Sequence, residues 1–434
     1  MAQSSGTSRK RRSAPSTKRR SSQPSGKKDL DLPEDWEDLS PDKAVDSFED
    51  MGLSEDLLDA LDDMGFEKPT EIQALAIPQA LEGRDLVGRA ETGSGKTVAF
   101  GAPLVDRIEE GRVAVLALVL CPTRELAAQV AEVLTELCAY KPLRVALVVG
   151  GEPMGAQIKQ LQKGCQIVVG TPGRILDLVK EKWLQLGWVE FAVLDEADEM
   201  LEIGFIDEVT AILEATPKEK QTMLFSATFP APLMEIARKY LKNPMTMGAT
   251  KKAAAAKSIE QAFLHVHAED RPEALERVLH AHPADVFLVF CESRLEVERL
   301  YKRCKRLPFP VFSLHGGYEQ AVRRRVMDHF RTGKVRALIA TDVAARGLDI
   351  THVTQVLNYS VPRTLETYFH RIGRTGRAGA SGKALTFVTP RKKKIFEEFI
   401  RRGKLEIREA DLSDFEDPRA DSAGRSGKRT RRER

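Results

Sequence analysis

Short apolar runs rich in Val, Ile and Leu alternate with amphipathic stretches from about residue 47 to residue 246, and the alternation resumes after residue 258. Brief apolar runs bounded by turn signals predict strands buried on both faces, and the amphipathic stretches predict the helices that cover them. Repeated βα units of this kind predict an α/β fold built on mostly parallel sheets. The first set of predicted strands is 113–120, 145–149, 167–169, 191–194 and 222–225; the second is 263–266, 286–290, 311–314, 337–340, 353–357 and 384–388. Residues 249–258 are Ala and Lys without apolar periodicity and read as a linker. The chain thus divides into a disordered N-terminal arm over 1–45, basic then acidic, a domain over 46–248, the linker, a second domain over 259–395 and a charged tail over 396–434.

Six polar peptides fall just after predicted strands. They are Pro122-Thr123-Arg124-Glu125, Gly150-Gly151, Thr171-Pro172-Gly173-Arg174, Asp195-Glu196-Ala197-Asp198, Ser226-Ala227-Thr228 and Thr341-Asp342. Ligands of open α/β sheets bind at the carboxyl ends of strands, so all six lie where a site is expected.

Ala90-Glu91-Thr92-Gly93-Ser94-Gly95-Lys96-Thr97 follows an apolar run ending at Val87 and precedes a helical pattern of Val98, Leu104, Val105 and Ile108. Strand, Gly-rich loop and helix make a P-loop: backbone N–H groups cradle phosphates, Lys96 reaches the β/γ oxygens and Thr97 can ligate Mg²⁺. Ala90 stands where the general pattern has its first Gly. Beyond the apolar run 191–194, Asp195 is placed to hold Mg²⁺ and Glu196 to orient and deprotonate an attacking water. All eight His residues lie at or after position 265, so no imidazole of the first domain can be that base. The Gln73 side-chain amide suits the edge of adenine and Phe66 can pack on its ring; a plain helix start after the Pro69 turn is the alternative for this peptide.

The second domain contains no G-K-[ST] peptide and cannot form a phosphate cradle of its own. It has His370-Arg371-Ile372-Gly373-Arg374-Thr375-Gly376-Arg377 instead, which spaces three guanidinium groups between glycines and presents Arg374 and Arg377 to an anion. An arginine entering from another domain stabilises charge on a transferring phosphoryl group; a basic loop facing RNA or solvent is the other reading. Two H-x-H pairs, His265 with His267 and His280 with His282, read as surface because no Cys or third His stands near them.

Composition narrows the function classes. The 434 residues contain no run approaching the roughly 20 apolar residues of a membrane span and no apolar leader, which predicts a chain with no membrane partner. Five cysteines without a C-x-x-C pair argue against disulfides and structural zinc and point to a reducing, cytoplasmic setting. Residues 1–28 carry nine basic groups and no acid, 29–63 fifteen acids against Lys43, and 418–434 seven basic groups and two acids, which leaves +3 for 64–417. Any polyanion must therefore be held by placed groups rather than bulk charge. The first 28 residues read as a disordered arm that serves nucleic-acid binding, solubility or targeting. Only 6% of residues are aromatic, so a grip on nucleic acid should run through phosphates and sugars with little sequence preference.

Taken together, these peptides make residues 48 to about 390 resemble the DEAD-box family of ATP-dependent RNA helicases. Phe48 with Phe66 and Gln73 is similar to its adenine-sensing segment, 90–97 to its P-loop variant, 195–198 to its name-giving tetrapeptide, and Ser226 to Thr228 to the segment coupling ATP state to unwinding. Pro122, Thr123, Arg124, Gly150, Gly151 and 171–174 resemble first-domain contacts to the RNA backbone. Phe290 to Ser293, His315-Gly316 with Gln320 and Arg323, and Thr341 to Asp349 resemble the motifs completing the RNA and nucleotide surfaces. The resemblance implies two tandem RecA-like domains with disordered basic tails. ATP-Mg²⁺ would bind in the cleft, with Asp349 among its contacts and Asp198 and His370 coupling the domains, and single-stranded RNA across both faces. It also implies protein partners from ribosome assembly or RNA decay. A clamp or annealing scaffold with little unwinding is the alternative activity.

Overall fold

Two all-parallel sheets organise the chain in a computed structural model, which describes residues 32–33, 36–39, 44–90, 94–248, 259–345, 352–376 and 381–415. The predicted linker, the basic arm and the final residues of the tail lie outside the described residues. The first sheet contains β1 (Glu37–Asp38), β2 (Leu86–Arg89), β3 (Ala117–Leu120), β4 (Val145–Val148), β5 (Ile167–Gly170), β6 (Phe191–Leu194), β7 (Gln221–Ser226) and β8 (Met245–Met247), in spatial order β1-β8-β2-β7-β6-β3-β5-β4. The second contains β9 (Ile259–His265), β10 (Phe287–Cys291), β11 (Val311–Leu314), β12 (Ala337–Thr341), β13 (Gln355–Asn358), β14 (Gly382–Val388) and β15 (Arg408–Ala410), in order β11-β12-β10-β13-β14-β9-β15.

Strand periodicity explains why the apolar runs are continuous. Successive side chains point to opposite faces, and each face carries its own helices. Ala117 and Val119 of β3 enter one core cluster while Leu118 and Leu120 enter another, and β6 splits Phe191 and Val193 from Ala192 and Leu194 in the same way. Phe287 and Val289 of β10 are likewise separated from Leu288 and Phe290. Three helices that follow strands start on side-chain caps that satisfy otherwise orphaned N–H groups: Thr123 Oγ1 accepts from Leu126 N–H, Ser293 Oγ from Glu296 N–H and Thr364 Oγ1 from Thr367 N–H.

Three differences from the hydrophobic pattern have physical causes. Strand β3 begins at Ala117, four residues later than the pattern suggests; Val113 is 82% exposed, because its partner β5 begins only at Ile167 and offers no ladder further out. Part of the arm predicted to be disordered forms β1, where Glu37 and Asp38 pair in parallel with Met245 and Thr246. This edge strand is held by main-chain bonds and by buried Leu39, so its exposed acidic side chains hide it from a hydrophobicity pattern. The second folded unit also continues beyond residue 395. The helix Lys393–Gly403 buries Phe396 and Phe399, and β15 extends the sheet beside β9, so the predicted tail over 396–434 is folded as far as Phe415.

Candidate active site and nucleic-acid interface

Registers across the first sheet bring its polar peptides into a row. Arg89 at the end of β2 lies opposite Ser226 of β7, Ala90 N–H donates to the Ser226 carbonyl at 3.2 Å, and Asp195 follows β6 next to β7. Gly95 then starts the helix Lys96–Arg107 with φ of 89°, and a Cβ there would lie 2.7 Å from Gln73 Nε2 and 2.8 Å from Thr70 Oγ1. Left-handed backbone and close approach both demand glycine at this point. Gln73 is fully buried and does two jobs: its Oε1 accepts from Thr70 N–H at 2.8 Å in a capping box, and its Nε2 donates to the Gly95 carbonyl at 3.1 Å. The peptide is thus a helix start wired to the phosphate loop. Phe66 is half-buried against the first-domain core, whereas Phe48 is buried inside it and supports the segment from behind. Glu91, Thr92 and Gly93 lie outside the described residues; Ser94 leads into Gly95.

Lys96 and the acidic tetrapeptide meet in a dry environment. Lys96 Nζ lies 3.0 Å from Asp195 Oδ1 and 3.4 Å from Glu196 Oε1, all three side chains being buried. Burial alone would depress the ammonium, but the carboxylates of Asp195, Glu196 and Asp198 outweigh it and hold Lys96 above its ordinary value. Asp195 is pushed up, chiefly by burial and further by Glu196, with Lys96 opposing both. Apart from that ion pair, neither Asp195 carboxylate oxygen has a side-chain hydrogen-bond partner among the described residues. Glu196 is left-handed, with φ and ψ both 52°, a conformation costing about 1–3 kcal/mol that turns the chain sharply into the helix Ala197–Ile203. Behind it a buried network joins two peptides. Asp198 N–H donates to Ser226 Oγ at 3.1 Å, Ser226 Oγ donates to the Thr228 carbonyl at 2.7 Å, and Thr228 N–H and Oγ1 donate to Asp198 Oδ2 at 2.9 and 2.8 Å.

The second domain forms the opposite wall. One cleft is lined by Ala90, Lys96, Glu196, Asp198 and Ala227 on one side and by Phe369, His370, Gly373 and Arg374 on the other. Arg374 is buried and its Nε–H donates to the His370 carbonyl at 3.3 Å. Arg371 is committed elsewhere: Nε and Nη2 donate to the two Asp342 carboxylate oxygens at 2.5 and 2.8 Å, Nη1 to the Ser360 carbonyl at 2.7 Å, and the guanidinium lies 5.1 Å from the centroid of the Phe290 ring. It anchors the helix Leu365–Ile372, so of the three guanidinium groups Arg374 is the one that lines the cleft among the described residues. Arg377 and Asp349 lie outside them.

The remaining first-domain peptides cluster at the ends of β3, β4 and β5. The Arg124 guanidinium rests on Gly150-Gly151, where a Cβ at Gly151 (φ of 74°) would fall 1.9 Å from Nη1. Burial depresses this guanidinium below its usual value. Gly150 N–H donates to Thr171 Oγ1 at 3.4 Å; Pro172 and Gly173 open the next helix, and Arg174 Nη1 donates to the Glu152 carbonyl at 3.1 Å. Across from them Gln320 opens the helix Gln320–Arg331 and Thr341 ends β12. Arg323, expected at an RNA surface, has Nε and Nη2 at 2.9 and 2.8 Å from Glu125 Oε1, and Arg324 pairs with Glu152. These ion pairs bridge the two domains. Sequence reasoning missed Glu125, Glu152, Arg324 and Asp342 as partners; Glu125 and Asp342 sit inside quoted peptides, but no spacing rule links them to arginines two hundred or thirty residues away, roughly counted.

Residues 70–236 match the family model described as DEAD/DEAH box helicase, and residues 270–379 match the helicase conserved C-terminal domain. The chain is 45% identical over 358 residues to the ATP-dependent RNA helicase CshA of Listeria monocytogenes, an alignment covering 82% of this chain and 69% of that one. The chain belongs to the DEAD-box helicase family. It is also 44% identical over 345 residues to the DEAD-box ATP-dependent RNA helicase CshA of Geobacillus kaustophilus, covering 80% of this chain and 74% of that one. Among solved structures it is similar to S. cerevisiae Dbp5 bound to RNA and ADP BeF3, with a TM-score of 0.78 and 31% identity over 88% of this chain and 98% of that one. The two walls of the DEAD-box cleft described above fall within the two matched segments.

Proposed function

We propose that this DEAD-box enzyme, an ATP-dependent RNA helicase, clamps single-stranded RNA across its two domains and opens short duplexes locally, with ATP hydrolysis resetting the clamp. The observation that carries this reading is the cleft in which Lys96 and Glu196 of one domain face Arg374 of the other. ATP phosphates would take over Lys96 from the carboxylates that now hold it. Gln73, hydrogen-bonded to Gly95, ties adenine recognition to the shape of the phosphate loop. Glu196 would orient the attacking water and accept its proton, and Arg374 would counter charge on the phosphoryl group as the domains close. The network of Asp198, Ser226 and Thr228 would carry that closure from the nucleotide to the RNA side, where Arg124, Gly150, Gly151 and Thr171 offer backbone-directed groups.

The donor set fits a nucleotide-borne magnesium ion. Among the described residues, Asp195 has buried carboxylate oxygens whose side-chain partner is Lys96 alone, Thr97 supplies a hydroxyl beside Lys96, and no cluster of three metal-ligating side chains occurs, so nucleotide oxygens and water would complete the shell. Thr97 and Asp195 would hold Mg²⁺, which would supply charge neutralisation for the triphosphate.

The test is strand separation. The protein should release the shorter strand of a short RNA duplex only when ATP is present. Glu196→Gln should retain ATP and RNA binding but turn over about 10² to 10⁴ times more slowly, trapping the closed complex. Annealing without ATP-driven separation would favour the clamp reading, and a Glu196→Gln protein that binds neither ligand would make this residue structural.

A further inference from the structure

The segment 391–404 holds Arg391, Lys392, Lys393, Lys394, Arg401, Arg402 and Lys404 against two acids, Glu397 and Glu398. Its +5 exceeds the +3 of the whole of residues 64–417, so the remainder of that body is −2 and this segment holds its entire positive excess. The sequence pattern ends the second domain at residue 395 and assigns 396–404 to the charged tail. The structure folds it instead, as a short turn Pro390–Lys392 leading into the helix Lys393–Gly403.

Three observations separate it from a merely solvated face. Its cations are largely unpaired: Lys393 has Glu397 at 3.9 Å and Arg402 has Glu398 at 3.5 Å, but Arg391, Lys392, Lys394 and Arg401 make no ion pair among the described residues. Lys393 and Lys394 sit in the first helical turn, which contains no acid, with Arg391 and Lys392 immediately before it, and there the helix dipole disfavours positive charge; local stability would choose the opposite sign. Finally, the turn follows β14 at the carboxyl edge of the second sheet. That edge carries Ser293 after β10 and Thr341 at the end of β12, and β14 lies two strands from β10, about 10 Å away.

The packing beneath this surface joins it to the cleft. Phe396 and Phe399 lie 6.0 and 6.4 Å, centroid to centroid, from Tyr368, a fully buried residue of the helix Leu365–Ile372 that leads directly into Arg374. We infer that residues 391–404 form an auxiliary RNA surface that binds sugar-phosphate backbone beside the cleft and is fixed, through Phe396, Phe399 and Tyr368, to the element carrying Arg374. The inference rests on the helicase reading and adds a site to it. Phosphate contacts of this kind raise affinity and its salt dependence without reading sequence.

The experiment uses the full chain and a single-stranded RNA long enough to pass beyond the cleft. Arg391→Gln, Lys392→Gln and Lys394→Gln are combined, and Lys393 is left in place with Glu397. RNA affinity should fall about ten-fold at moderate salt, and the slope of log affinity against log salt should shrink by about 2, from about 0.7 per phosphate contact. The melting temperature should hold or rise, because cations leave a helix N-terminus, and the charge-conserving Arg391→Lys, Lys392→Arg, Lys394→Arg variant should keep the original slope. An unchanged slope in the neutralised variant overturns the inference, as does a weakened affinity that the charge-conserving variant shares. Failure of the helicase reading is seen separately, as absence of RNA-stimulated ATP hydrolysis in the unaltered protein.

Discussion

Replacing Lys96 by Ala is expected to abolish RNA-stimulated ATP hydrolysis and to destabilise the fold in the same stroke. The ammonium lies 3.0 Å from Asp195 Oδ1 and 3.4 Å from Glu196 Oε1, and it is the group a phosphate would meet on entering the loop. Losing one positioned charge of this kind costs roughly 10² to 10³ in turnover, and losing the phosphate cradle's lysine removes ground-state binding as well. The structural penalty comes from what remains. Asp195 would stay fully buried without its counter-charge, and removing one partner of a buried pair costs about 3–5 kcal/mol. Its carboxyl, already pushed up by burial, would rise further, so the folded state would bind a proton that the unfolded chain releases. The stability deficit should therefore be largest at pH values above that raised value and shrink as pH falls through it. Thermal melts across pH, with ATP turnover at saturating RNA, check both parts. Turnover near that of the unaltered protein would refute the phosphate assignment, and a pH-independent melting deficit would refute the burial argument.

Arg374→Ala should lower the turnover number by about 10³ to 10⁵ while leaving ATP affinity nearly unchanged. Arg374 reaches the cleft from the second domain, beyond a helix that Arg371 pins through Asp342 and Ser360. A guanidinium acting on charge that develops only during phosphoryl transfer contributes to kcat far more than to ground-state binding. Arg374→Lys should recover little, since an ammonium cannot reproduce the planar fork. Single-turnover hydrolysis at saturating ATP and RNA separates this from a binding defect. A variant that binds ATP poorly but turns over normally once saturated would assign Arg374 to nucleotide binding instead.

The repeated apolar runs make both sheets legible because parallel strands are buried on both faces and need no polar partner in sequence. The same logic fails at the edges. Strand β1 exposes Glu37 and Asp38, and β15 exposes Arg408 and Glu409; both are defined by main-chain pairing that side-chain pattern does not encode. At the site, the residues whose chemistry follows from type and local spacing, such as Lys96 and the pair Asp195 and Glu196, are visible in the sequence. Those whose role depends on which distant element faces them are not. Arg323 reads as a cation for RNA, yet its guanidinium is held by Glu125, and Arg371, which the sequence merely spaces before Arg374 and Arg377, is a bolt between the helix Leu365–Ile372 and Asp342. Gln73 shows how local and tertiary roles coincide, since the amide that caps its own helix also reaches Gly95.

The claim on which this account depends is that nucleotide turnover requires both walls of the cleft. It is tested most directly by comparing RNA-stimulated ATP hydrolysis of the intact chain with that of a fragment ending at Gly248, which retains the complete first sheet, Lys96 and Glu196. The account predicts that the fragment loses RNA stimulation entirely; equal stimulation in the fragment and the intact chain would contradict it.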